Sequence, residues 1–185
     1  SATTVTGSDK AGVTNSMTIT ADSTADSTAD VVTRGNITNI DAITVTDAGD
    51  AATGATAAGK DIEIDLASYG TALTIDASAL DAGTADADAD GKFGDDTDAE
   101  QLIITGTSGK ALTVTGGDAD DTIVGSSDSA AGDTLKGGAG EDTFTMAGNL
   151  TYRDTVDGGA GDDTMSLDSS TAIGDVAFMN VSNVE

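Results

Sequence analysis

The chain has 185 residues, with 33 acidic side chains, 7 basic ones and a formal net charge of −26; Cys, His, Pro and Trp are all absent. This composition excludes disulfides, thiolate or imidazole metal sites, and histidine-dependent acid–base or triad chemistry. No run of about 18 apolar residues is present, so no membrane-spanning helix is predicted, and the 7 Lys and Arg are too few beside 33 acids for binding to nucleic-acid phosphates.

Charge of one sign at this density opposes compaction. Two solutions follow: disorder, or a fold in which something positive neutralises the acids. Only Glu63, Glu100, Glu141 and Glu185 are Glu; the remaining acids are Asp, beside 24 Gly. Asp and Gly suit turns and oxygen-ligand cages, which favours the second solution.

Taken in chain order, the predicted elements are short strands in which apolar and polar residues alternate. They are Met17-Thr18-Ile19-Thr20, Ile43-Thr44-Val45-Thr46, Ile62-Glu63-Ile64-Asp65, Leu73-Thr74-Ile75-Asp76 and Leu112-Thr113-Val114-Thr115. β-Branched residues dominate, and no helical spacing is sustained. Two long gaps interrupt the series, Asp47 to Lys60 and Asp81 to Glu100.

From residue 121 the tripeptide Asp-Thr-apolar recurs at Asp121, Asp133, Asp142, Asp154 and Asp163, in steps of 12, 9, 12 and 9 residues. The two-phase, 21-residue period predicts a flattened coil with two strands and two turns per rung. At about 20 residues per rung the whole chain would supply about nine rungs. The segment Phe178–Val184 mirrors Ile37–Ile43 at an offset of 141, and Ser16–Ile19 resembles Thr164–Leu167. The end therefore resembles the beginning, as in one unit of a tandem array. The expected organisation is a β-rich region with long loops over 1–111, a repeat region over 112–177, and the start of a next unit over 178–185.

Three nonapeptides begin 21 residues apart, at Gly116, Gly137 and Gly158. They read Gly-Gly-Asp-Ala-Asp-Asp-Thr-Ile-Val, Gly-Gly-Ala-Gly-Glu-Asp-Thr-Phe-Thr and Gly-Gly-Ala-Gly-Asp-Asp-Thr-Met-Ser. The second and third fit G-G-x-G-x-D-x-U-x fully; the first has Ala119 at the fourth position. The glycines permit sharp turns and positive φ, so their carbonyls can face a common space. The sixth-position Asp adds a carboxylate, and a hard divalent cation takes six to eight such oxygens. The candidate metal-binding residues are Asp121, Asp142 and Asp163, with Gly116, Gly117, Asp118, Gly137, Gly138, Gly140, Gly158, Gly159 and Gly161. Asp142 is placed to serve two sites. Isolated Gly-Gly turns capped by Asp would need no metal, but three in-phase copies favour Ca2+. Around Asp133 and Asp154 the glycine pairs are missing and Arg153 repels cations, so hydrogen-bonded turns are expected there.

Residues 112–166 resemble an RTX parallel β-roll, and the wider texture resembles RTX-containing surface-layer proteins and giant RTX adhesins of Gram-negative bacteria. The resemblance implies an all-β, right-handed parallel β-roll or β-helix with calcium-binding glycine-rich turns and long acidic loops. It implies export through type I secretion, an extracellular or cell-surface location, and folding on several calcium ions. The expected function is a calcium-binding structural module that self-assembles into a surface layer, with a homo-oligomer or lattice as its assembly. Cell-surface polysaccharide is a possible partner through another part of the full protein. The alternatives are a stalk or ligand-binding module of an adhesin, or the secretion and folding domain of an RTX enzyme or toxin. No catalytic residue is assigned, because carboxylate pairs are too numerous for any one to stand out. A further metal candidate is Asp86, Asp88 and Asp90 before Gly91, which opens like an EF-hand loop but has Thr97 where Glu is needed. The same residues equally fit a solvated acidic loop.

Overall fold

The computed structural model describes residues 5–6, 12–20, 30–33, 37–46, 61–66, 71–80, 100–105, 109–146, 150–167 and 172–185. Their secondary structure is almost wholly strand: β1 (Val5–Thr6), β2 (Ser16–Thr20), β3 (Asp30–Thr33), β4 (Ile37–Thr38), β5 (Ala42–Thr46), β6 (Ile62–Asp65), β7 (Leu73–Asp76), β8 (Leu102–Thr105), β9 (Leu112–Thr115), β10 (Thr122–Val124), β11 (Thr134–Ala139), β12 (Thr143–Met146), β13 (Thr155–Ala160), β14 (Thr164–Leu167) and β15 (Val181–Ser182). One turn of 3-10 helix, Asp175–Phe178, precedes β15.

All pairings are parallel. One sheet runs β15-β13-β11-β9-β7-β5-β2, a second runs β14-β12-β10-β8-β6-β3, and β1 pairs with β4 alone. From β5 onward the chain alternates between the two large sheets. Alternation along each strand explains the layering. In β7, Leu73 and Ile75 are buried while Thr74 and Asp76 are exposed. The inward residues stack in rows. One row is Ile43, Ile75, Val114, Leu135 and Val156. Another is Ile104, Ile123 and Phe144, and one hydrophobic cluster holds both rows. Each buried side chain of this size contributes about 1.5–3 kcal/mol. That is how a chain with few aromatics still builds a core.

The 21-residue period appears directly in the register: Thr113 lies opposite Thr134, and Thr134 opposite Thr155. Thr122, Thr143 and Thr164 repeat it in the other sheet. Earlier rungs are longer. Ser16 faces Ala42, Ala42 faces Thr74, and Thr74 faces Thr113, which are steps of 26, 32 and 39 residues. The larger sheet consequently has seven strands among the described residues, fewer than the nine rungs predicted. The additional residues of these long steps lie between the strands. Both sheets continue through the boundary drawn at 111/112 without a break.

The two ends share one backbone feature, and it aligns them three residues away from the sequence match. Asn39 and Asn183 are the two non-glycine residues with positive φ among those described, at 55° and 51°. Asn36-Ile37-Thr38-Asn39-Ile40-Asp41 therefore corresponds to Asn180-Val181-Ser182-Asn183-Val184-Glu185. Asn at both the first and fourth positions makes the register ambiguous in sequence; the left-handed backbone, which Asn tolerates better than most residues, fixes it.

Candidate functional site

The glycine-rich turns form one edge of the stack. Lys136 lies opposite Asp157 and Gly138 opposite Gly159, so the second and third nonapeptides superpose residue for residue. Gly138 and Gly140 adopt φ of 129° and 107°, and Gly159 and Gly161 adopt 113° and 143°. These are conformations that side chains with a Cβ rarely take. Gly116 and Gly117 open the first copy without positive φ, and Ala119 stands at the position of Gly140. The first turn thus differs from the other two at its fourth position, where its sequence departs from the pattern, and at its second, where it does not.

The sixth-position aspartates are buried, with Asp121 and Asp142 at 1% and Asp163 at 0% relative exposure. They form a ladder. The N–H of Leu102 donates to Asp121 Oδ1 at 2.7 Å, that of Asp121 to Asp142 Oδ1 at 2.8 Å, and that of Asp142 to Asp163 Oδ1 at 2.8 Å. Glu185 ends the series, its Oε2 accepting from the Asp163 N–H at 3.1 Å. Each carboxylate thereby satisfies a peptide donor one rung earlier, at or just before the start of a strand.

The second oxygens differ along the ladder. Asp121 Oδ2 accepts from the Gly117 N–H at 2.7 Å. Asp142 Oδ2 and Asp163 Oδ2 are buried without a hydrogen-bond partner. Both lie against the first glycine of their own nonapeptide. A Cβ at Gly137 would meet Asp142 Oδ2 and the carbonyl oxygen of Gly158. A Cβ at Gly158 would meet Asp163 Oδ2 and the carbonyl oxygen of Asn183, and one at Gly116 would meet Asp121 Oδ2 and the Gly137 carbonyl oxygen. Acceptors from two adjacent rungs thus face each glycine. Burial pushes the Asp142 carboxyl up to about 8; the peptide N–H of Asp121 opposes this, while the neighbouring carboxylates of Asp121, Asp163 and Asp120 add to it. Burial likewise raises Asp121 to about 7, against its hydrogen bonds from Leu102 and Gly117, and raises Asp163.

This donor set fits a hard cation. Among the described residues no three acidic side chains converge on one point. A cation here would therefore draw on glycine and Asn183 carbonyls together with one carboxylate per rung, a mixture typical of calcium. Asp142 and Asp163 supply the unpartnered oxygens; Asp121 does not. Asp118 is exposed, and Asp120 accepts from the Glu141 N–H at 2.6 Å. Asp86, Asp88 and Asp90 lie outside the described residues.

The opposite edge carries a second ladder that the glycine signature does not mark. Asp133 Oδ1 accepts from the Leu112 N–H at 2.9 Å, and Asp154 Oδ1 from the Asp133 N–H at 2.8 Å. Here the second oxygens are engaged: Asp133 Oδ2 by the Ser126 N–H at 2.8 Å and Asp154 Oδ2 by the Thr151 N–H at 2.6 Å. The Ser126 hydroxyl adds a bond to Asp133 Oδ1 at 2.8 Å. Arg153 stacks its guanidinium over Tyr152, 4.4 Å from the ring centroid. The signal for this ladder was the 21-residue spacing of Asp133 and Asp154 itself.

Comparison of the chain with family models, with curated proteins and with solved structures finds no significant match. No helix among the described residues is long and apolar enough to cross a membrane.

Proposed function

We propose that this chain is a calcium-stabilised structural module: an RTX-type, right-handed parallel β-roll from a secreted bacterial cell-surface protein that assembles into a surface layer. The observation that carries the reading is the row of buried acceptors without donors on one edge only. Asp142 Oδ2 and Asp163 Oδ2 have no hydrogen-bond partner and sit beside carbonyls of the following rung. The opposite ladder, with the same Asp spacing, satisfies its second oxygens from the backbone. A divalent ion bridging adjacent rungs offsets the desolvated charge of these carboxylates and links successive turns. Calcium then acts as a folding trigger. In a calcium-poor compartment 33 acids against 7 bases repel each other and keep the chain extended. Outside, ion-binding free energy becomes folding free energy.

Circular dichroism tests this directly. The 185-residue chain is expected to show little strand signal in chelator and a cooperative gain of β-structure on adding calcium. A fully folded spectrum that is identical with and without calcium sinks the proposal.

A further inference from the structure

We infer that the gap between Gly158 and Asn183 is a divalent-cation site of its own kind, walled by a glycine turn on one side and by the Asn180–Glu185 turn on the other, and that Asp157 positions its Asn183 ligand. The ion itself rests on the calcium reading; the ligand from the Asn turn and the role of Asp157 go beyond it. Three observations meet here. Asp163 is fully buried, and its Oδ2 has no hydrogen-bond partner. The place where a Cβ would stand on Gly158 is faced by that oxygen and by the carbonyl oxygen of Asn183. Asn183 has a left-handed backbone, with φ of 51°. Two buried acceptors facing one glycine repel each other unless positive charge is added between them.

The Gly137 gap has the same carboxylate but a different wall. There Asp142 Oδ2 is met by the carbonyl of Gly158, a residue of the next glycine turn. In the Gly158 gap an Asn takes that place, and its side chain shows how it is held. The Asn183 amide donates to Asp157 Oδ1 at 2.7 Å, and the Ser182 hydroxyl donates to the same oxygen at 3.3 Å. Both bonds lie at the surface, so Asp157 acts through Asn183. The backbone fixes the rest of the turn. The Val156 N–H donates to the Asn180 carbonyl at 3.0 Å, and the Glu185 N–H to the Asp163 carbonyl at 2.9 Å. Asn tolerates the left-handed conformation and, unlike Gly, brings an amide that can be anchored.

The chain carries the same turn once more, with a different neighbour. Asn36–Asp41 corresponds to Asn180–Glu185, with Asn39 at φ of 55°. On the preceding rung the Asn15 N–H donates to Asp41 Oδ2 at 2.8 Å, and the Asn15 carbonyl accepts the Asp41 N–H at 2.8 Å. Asp163 makes the same two bonds with Glu185, so Asn15 and Asp163 are counterparts. The Asn15 side-chain amide also donates to Asp41 Oδ2, at 3.3 Å. A neutral amide that donates thus serves beside one copy of the turn, and a buried carboxylate beside the other. The turn forms with either, so the carboxylate is not what builds it. A charged oxygen, buried at a cost and set against a carbonyl, is what a hard cation takes as ligand.

Equilibrium dialysis against calcium, with circular dichroism on the same samples, tests the inference. Asp163→Asn copies the Asn15 arrangement and keeps an acceptor for the Asp142 N–H. It is expected to keep its strand signal in saturating calcium and to bind one ion fewer than the wild type. Asp157→Ala is expected to keep the full count and to weaken one site about tenfold or more. Asn183→Gly, which keeps the left-handed backbone but loses the anchor, should do the same. Asp163→Asn binding as many ions as the wild type overturns the inference. So do Asp157→Ala and Asn183→Gly with wild-type affinity at every site. Asp157→Ala leaves the buried ladder intact, so it decides the matter even where Asp163→Asn does not fold. Asp142→Asn keeps the two readings apart, since it should lose the ion of the Gly137 gap. If it does while Asp163→Asn loses none, this inference fails and the calcium reading stands; a wild-type chain that binds no calcium overturns both.

Discussion

Asp142 separates the structural use of a carboxylate from the metal-binding use proposed for it. Its Oδ1 accepts the buried Asp121 N–H at 2.8 Å, while its Oδ2 has no partner. Asp142→Ala removes both oxygens and strands that peptide donor, which costs about 1–3 kcal/mol. Asp142→Asn keeps the acceptor and places an amide N–H₂ near the Gly158 carbonyl. Burial raises the Asp142 acid, so without a cation the protonated form is favoured more than in a free carboxyl. Asn imitates that state, so in chelator Asp142→Asn is expected to match or exceed the wild type. Calcium reverses the ranking. One ion at roughly 100 times its Kd adds about 2.7 kcal/mol, and Asp142 Oδ2 faces one gap, that of Gly137, rather than the two expected from the repeat spacing. Strand signal by circular dichroism in chelator with a stabilising osmolyte, and urea unfolding in saturating calcium, measure the two quantities. Asp142→Asn gaining as much stability from calcium as the wild type refutes the reasoning.

The remaining predictions concern pH, the second ladder and the glycines. Asp121, Asp142, Asp163 and Asp133 all have raised carboxyl pKa values, chiefly from burial. For Asp121 and Asp142 the favourable contribution is complete below the unfolded value of 3.8 and is lost as pH rises through about 7–8; for Asp163 and Asp133 the direction is the same. In chelator the strand signal should therefore grow on acidification from pH 8 toward 5; a maximum on the alkaline side contradicts this. In calcium the trend should invert, because the ion needs the ionised form. Asp133→Ala leaves the Leu112 and Ser126 N–H groups unpaired, at about 1–3 kcal/mol each, and should leave the calcium increment intact. A lost increment would place a cation on the wrong edge. Gly138→Ala puts a Cβ at φ 129° against the Gly117 carbonyl and should cost more than about 1 kcal/mol. Gly174→Ala, with nothing within 4 Å, should stay within about 0.5 kcal/mol by the same unfolding assay.

Strand positions were legible because the alternation is strict. Leu73, Ile75, Leu112 and Val114 each face inward as their polar neighbours require. The 21-residue rung was legible because Asp-Thr-apolar keeps both phases. The first two rungs were less so: β1 and β4 are two residues each and carry no pattern of their own. The function of the Asp ladders was hidden for a different reason. A carboxylate that accepts a peptide N–H from the previous rung and one that faces a cation occupy the same sequence position. Asp133 and Asp142 differ only in what their second oxygen meets, Ser126 in one case and the glycine turn in the other.

That difference also revises the meaning of the acidic composition. Neutralisation of much of the −26 charge would take on the order of five to ten ions. Yet among the described residues the buried acids are Glu100, Asp121, Asp133, Asp142, Asp154 and Asp163. Two of them, Asp133 and Asp154, are satisfied by backbone donors. The glycine edge offers three gaps, facing Gly116, Gly137 and Gly158, and only the last two have an unpartnered carboxylate oxygen. One divalent ion per gap offsets at most about six charges. Most of the negative charge therefore does not belong to this edge. It stays as a field that any neighbouring copy must meet.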